Sequence, residues 1–192
     1  MTAQANDTIR YRDADYQLTG IKGEGLFTPH DHGIFVRPMH TGCWRGYIVH
    51  YAIVDGELQL DRAEMQLMQP PGDASKREAP LLFGKPPATF DASSRANYEA
   101  LGVRMPFTGG LLLARDFIHE MYVHMGFHPA YKYRTVHELV FDDGRVTNES
   151  DQSPVMEQIR EKLKGKKLAP GEAASESELM EWIKSTFSRE YW

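Results

Sequence analysis

Cysteine is scarce: Cys43 stands alone among 192 residues. A single cysteine forms no internal disulfide, and small secreted domains usually carry several. The expectation is a reducing, cytoplasmic setting, with Cys43 as a small core residue rather than a nucleophile. Long hydrophobic runs are also missing. The most apolar stretch, FTGGLLLA at 107–114, is far too short for a membrane-spanning helix. The first residues, MTAQANDTIR, lack a basic segment followed by an apolar one, so no secretory signal is expected. A basic excess is absent, because 22 Lys and Arg face 27 Asp and Glu, for a net charge of −5. That balance argues against a general nucleic-acid binder. Several catalytic signatures are absent as well. The sequence has no phosphate-binding Gly-x-x-x-x-Gly-Lys motif, no Gly-x-Ser-x-Gly elbow, no His-Glu-x-x-His and no paired Cys-x-x-Cys. Nothing calls for an organic cofactor.

What remains is a globular balance of 41% hydrophobic and 26% charged residues, enough for one domain with its own core. Residues 8–68 read as strands and turns. Tyr47, Val49, Tyr51 and Ile53 alternate with Ile48, His50, Ala52 and Val54, the pattern of a strand packed on both faces. Asp55-Gly56 follows, then Leu58 and Leu60, which makes a hairpin the natural reading. Residues 69–106 hold Pro70, Pro71, Pro80, Pro86, Pro87 and Pro106, and read as a long loop with a short helix at Ser93–Leu101. Strand character returns at 107–113, 119–125 and 132–141, and Asp143-Gly144 turns the chain into Arg145-Val146-Thr147. From Pro154 the period becomes helical, with Val155, Ile159 and Leu163 on one stripe and Gly165 as the stop. A second helix opens on the capping box Ser175-x-x-Glu178, with Leu179, Ile183 and Phe187 as its stripe. The prediction is a mainly β body at 1–153, an antiparallel barrel or two-sheet sandwich, with a helical C-terminal appendage at 154–192. Overall this is an α+β chain.

Two stretches also carry a resemblance. Gly42-Cys43-Trp44-Arg45-Gly46-Tyr47 runs on to Asp55-Gly56, and Tyr122-Val123-His124-Met125-Gly126 precedes the strand ending at Asp143-Gly144. Together they resemble a family of small uncharacterised bacterial proteins with Trp-Arg-Gly-Tyr and Tyr-Val-His-Met-Gly motifs. That family has no established activity, so no catalytic residues carry over. The resemblance implies a bacterial, intracellular, β-rich body.

Eight histidines stand out beside the one cysteine. His30 and His32 form a His-x-His motif, with His40 eight residues on. In an extended segment residues i and i+2 point the same way, so the trio could hold zinc or iron at an open site. Trp44, Arg45 and Tyr47 offer stacking surfaces beside a guanidinium and count as ligand-binding candidates. In a lipocalin-like barrel, a Gly-x-Trp at this place plugs one end and leaves an interior cavity for a ligand. His124 and His137 are further ligand-binding candidates, and if the two halves pack together His50 and His124 could line one interior, where a general base would become feasible. The leading functional reading is a non-enzymatic binding module. It would hold a small apolar ligand or a protein partner, as a subunit of a larger bacterial complex docking through 154–192. The alternative is a metal-dependent enzyme using the His-x-His site.

Overall fold

The computed structural model describes residues 2–68, 78–165, 169, 175–189 and 191. Pro70, Pro71, Lys166, Lys167 and most of the linker before the second helix lie outside the described residues.

Two early strands, β1 (Thr8–Tyr11) and β2 (Ala14–Glu24), form a hairpin. The expected hairpin at Asp55-Gly56 joins β3 (Tyr47–Val54) to β4 (Glu57–Gln66). Three short strands follow, β5 (Thr89–Phe90), β6 (Arg95–Tyr98) and β7 (Val103–Arg104). The long strands β8 (Thr108–Phe117), β9 (Tyr133–Asp142) and β10 (Arg145–Asp151) complete one ten-stranded sheet. The order β10-β9-β8-β2-β1-β3-β4 closes into a ring where β10 meets β4 at Arg145 and Glu57. Only β1 and β3 run parallel; the other pairings are antiparallel.

The two Asp-Gly turns make this closure. Asp55, Gly56, Asp143 and Gly144 all have positive φ, as a type I′ turn demands. The turns sit side by side: Leu58 N–H donates to Gly144 O at 2.8 Å and Val146 N–H to Gly56 O at 2.9 Å. A bulge at Asp61 resets the alternation of β4. Leu58 and Leu60 face inward before it, Ala63 and Met65 after it.

The interior is filled rather than hollow. Ile9, Leu18, Val49, Leu58, Leu60, Leu111, Leu113 and Leu139 are all fully shut off from solvent in one cluster. This overturns the expected interior ligand cavity, because bulky branched side chains occupy the space a ligand would need. The stretch 107–114 reads as one apolar run because β8 is buried on both faces. Leu111 and Leu113 point into the barrel, while Leu112 and Ala114 point out beneath helix α1 (Ser153–Leu163).

Helix α1 is turned partly from its predicted face, with Ile159 packed on the core as expected. Val155 is exposed, and Met156 is buried against Leu112, Ala114, Tyr133 and Val136. Arg160 donates to Tyr131 O and Tyr133 O at 3.1 and 2.8 Å. The predicted helix at Ser93–Leu101 is in fact the turn into β6. The Asp91 carboxylate accepts the backbone N–H of Ser93 and Arg95, and Ala96 and Tyr98 then alternate inward with the two-residue period of a strand. The predicted strand at 119–125 is a 3-10 turn (His119–Met121) and an irregular loop whose rings pack sideways on one another.

Helix α2 (Glu176–Phe187) carries the predicted capping box. Ser175 N–H donates to Glu178 Oε2 at 2.8 Å, and Glu178 N–H to Ser175 Oγ at 3.3 Å. Ser175→Ala is expected to destabilise the helix by about 1 kcal/mol. Faster amide exchange confined to its first turns would report it. No helix among the described residues is long and apolar enough to cross a membrane.

Candidate functional site

The His-x-His segment does not form the expected ligand set. Residues Pro29–His32 make a 3-10 turn with three residues per turn, so side chains two apart diverge instead of sharing a side. His32 stacks on Phe27 at 5.1 Å and meets Phe83 edge-on, while His30 meets Phe35 edge-on at 5.7 Å. The Nδ1 of His40 accepts the Gly42 N–H at 3.1 Å. Among the described residues, no three His, Cys, Asp or Glu side chains gather to hold a metal ion.

The Trp-Arg-Gly-Tyr segment also departs from its plug reading. Trp44 is 49% exposed on the outside of the barrel, stacked on Phe187 of α2 at 5.8 Å. Gly46 has φ +80°, and a side chain there would strike the Arg37 carbonyl, which is why glycine stands between Arg45 and Tyr47. Arg45 turns inward to Asp7. Its two terminal nitrogens donate to Oδ2 and Oδ1 at 2.7 and 2.5 Å, and its guanidinium lies over the Tyr47 ring at 4.7 Å. Asp7 also accepts the Val49 N–H at 2.7 Å and Arg189, from beyond α2, at 2.7 Å. Burial alone would push the Asp7 carboxyl up. The Arg45 and Arg189 guanidiniums outweigh it and hold the carboxyl below its ordinary range.

This cluster ties the C-terminal segment to the barrel. The backbone joins in: Ile21 N–H donates to Arg189 O at 2.6 Å, and Phe127 N–H to Thr186 O at 2.7 Å. Gly126, at φ +66°, makes the second contact feasible, because a Cβ there would collide with Thr186. So the glycine closing Tyr-Val-His-Met-Gly seats the end of α2. His124 packs edge-on to Tyr122 in the same loop, at 4.8 Å. His137 lies elsewhere, inside the barrel between Tyr11 and Tyr16. His50 and His124 do not line one interior, because His124 sits on an outer loop. His50 bonds Thr8 Oγ1 through Nδ1 at 2.7 Å.

The clearest chemical anomaly lies between these elements. A further 3-10 turn, Ala130–Lys132, leads into β9 and is held by Lys132 N–H on Pro129 O and Ile118 N–H on Lys132 O. It buries the Lys132 side chain to 4% exposure. The amine has one neighbour of hydrogen-bonding type, His128 Nδ1 at 3.4 Å, and no carboxylate partner among the described residues. Burial lowers the Lys132 amine to about 8. Burial, and then the neighbouring lysine charge, lowers His128 to about 4, so its ring is neutral near pH 7. The His128 ring packs against Phe117 at 4.7 Å and Tyr122 at 5.0 Å, and its buried Nε2 has no hydrogen-bond partner among the described residues.

Lys132 borders a cleft of about 290 Å³ between α2 and the 123–132 loop, walled by Val123, Phe127, Tyr131, Leu163, Trp182 and Thr186. A mainly apolar hollow with one convergent cation is the usual design of a small-ligand site. Neither Lys132 nor Trp182 stood out in the sequence. One local signal existed, a lysine set within Phe127-His128-Pro129-Ala130-Tyr131-Lys132-Tyr133, where a charged side chain has aromatic neighbours on both sides. Asp7 had none, because its partners lie 38, 42 and 182 residues away. No protein-family model, curated protein or solved structure matches the chain.

Proposed function

We propose that this protein is a binding module that holds a small apolar ligand with an oxygen-bearing end in the cleft under α2. One observation carries the reading: a buried lysine, whose amine has no carboxylate partner among the described residues, lines an aromatic hollow. A buried unpaired ammonium costs stability. Chains keep such groups where a ligand supplies the missing partner. The aromatic walls would take the apolar part of the ligand, and Lys132 would take its oxygen end. This departs from the barrel-cavity version of the same idea, because the interior is full.

The test uses 3-phenylpropionate, followed by the fluorescence of Trp182 in the cleft wall, with Trp182→Phe as the control. The expected result is a saturable change that is lost in the control. The neutral 3-phenylpropanol should bind more weakly, and Lys132→Met should reduce that difference to within a factor of about two. Non-saturable behaviour, or equal affinity for acid and alcohol in the native protein, overturns the reading.

A further inference from the structure

We propose that Lys132 is the nucleophile of a carbonyl-capture site, forming an imine with a small apolar aldehyde held in the cleft under α2. The inference rests on the ligand-binding reading above and names a chemistry for it.

Three observations carry it. First, position: Lys132 borders the cleft, with Phe127, Tyr131 and Trp182 beside it. An apolar aldehyde entering along those rings presents its carbonyl carbon to an amine at the wall. Second, isolation. Among the described residues, no carboxylate holds the amine as an ammonium ion, and its one polar neighbour is a histidine. A desolvated lysine without a counter-ion is the usual arrangement for amine nucleophiles, and its lowered proton affinity leaves more free amine near neutral pH. The exposed lysines of the chain lack this enclosure: Lys22, Lys162 and Lys184 all lie at the surface. Third, an unpaired group beside it. His128 is 8% exposed, with one ring nitrogen facing Lys132 and the other, Nε2, buried without a partner among the described residues. Buried polar atoms are nearly always satisfied, so this one leaves the residue that faces the amine with an unused hydrogen-bonding group.

The step balances without any oxidant or reductant. The neutral Lys132 nitrogen attacks the carbonyl carbon. A C–N bond forms as the carbonyl π pair moves onto oxygen. The proton shed by nitrogen passes to that oxygen and gives a carbinolamine. The nitrogen lone pair then forms the C=N bond, and the hydroxyl leaves with a second proton as water. Amine plus aldehyde becomes imine plus water. In this scheme His128 is a positioning residue, with Nδ1 accepting one Lys132 N–H.

Reductive trapping tests it on the native chain. The protein is incubated with 3-phenylpropanal at about one equivalent and cyanoborohydride, and the adduct is mapped by peptide mass spectrometry. The expected result is a single adduct at Lys132, formed at least about tenfold faster than at any surface lysine and suppressed by excess 3-phenylpropionate. Adducts spread over Lys22, Lys162 and Lys184 with Lys132 clean, while 3-phenylpropionate still binds, overturn the imine chemistry and leave the binding site standing. Clean Lys132 together with no binding of the acid overturns both.

Discussion

Asp7→Asn is expected to destabilise the protein by about 3–5 kcal/mol, because it leaves two inward-facing guanidiniums without their carboxylate. Asparagine keeps the shape and can still accept the Val49 N–H, so the loss isolates the charge. Arg45 and Arg189 are largely buried where they meet Asp7, and neither gains another acid partner among the described residues. Urea unfolding at neutral pH measures the effect. The loss should shrink in an Arg189→Met background, where one of the two stranded cations is already gone. The same carboxylate makes stability depend on acid. Its folded pKa lies below the ordinary value, so its contribution is complete above about pH 4, the unfolded carboxyl value. It fades as pH falls through the lower, folded value, where the folded chain must take up a proton. An Asp7→Asn chain should show a flatter stability profile in that acid range. An unchanged profile would remove Asp7 from the account.

Lys132→Met should do the reverse and stabilise the protein, by at most about 3 kcal/mol near neutral pH. Methionine keeps the buried stem and removes a charge that burial disfavours. The amine titrates at about 8 in the folded chain and at about 10.4 when unfolded. Between those values the unfolded state binds more protons, so native stability rises with pH across that window. Below it both states are charged and the folded chain carries the whole penalty. Denaturation midpoints near pH 7 and near pH 10 should therefore converge for the variant and diverge for the native protein. A destabilised Lys132→Met would mean that the amine has a compensating partner. A stable variant that no longer distinguishes acid from alcohol would be the usual exchange of stability against function at a binding site.

Much of the fold was legible because it depends on local rules. The two Asp-Gly turns, the alternation in β3 and the Ser175-Glu178 capping box all formed as read, since each is decided within a few residues. The errors occurred where distant contacts overrule local preference. The stripe Val155-Ile159-Leu163 caught part of the true face of α1: Ile159 packs on the core as read, but Val155 is exposed and Met156 takes the buried place against β8 and β9. Trp44 fitted a plug by spacing, yet Phe187 offers it a partner outside the barrel. His30 and His32 shared a side only while their segment was taken as extended. The candidate cleft was illegible for the same reason. Its walls come from the β8–β9 loop, the end of α1 and α2, and no spacing in the sequence brings Lys132 to Trp182.

The pairing of Asp7 with Arg189 has a consequence for how the protein comes into being. The two residues are 182 positions apart, so during synthesis the acid emerges long before its second base. Arg45 reaches it early and can neutralise it; Arg189 cannot. The barrel, with its closing turns and full interior, lies wholly between these moments. A chain interrupted between α2 and Arg189 would have every strand of the sheet, but α2 would lack its anchor. Thr186 and Arg189 therefore act as a seal, and a product that lacks them should be the one proteases find first.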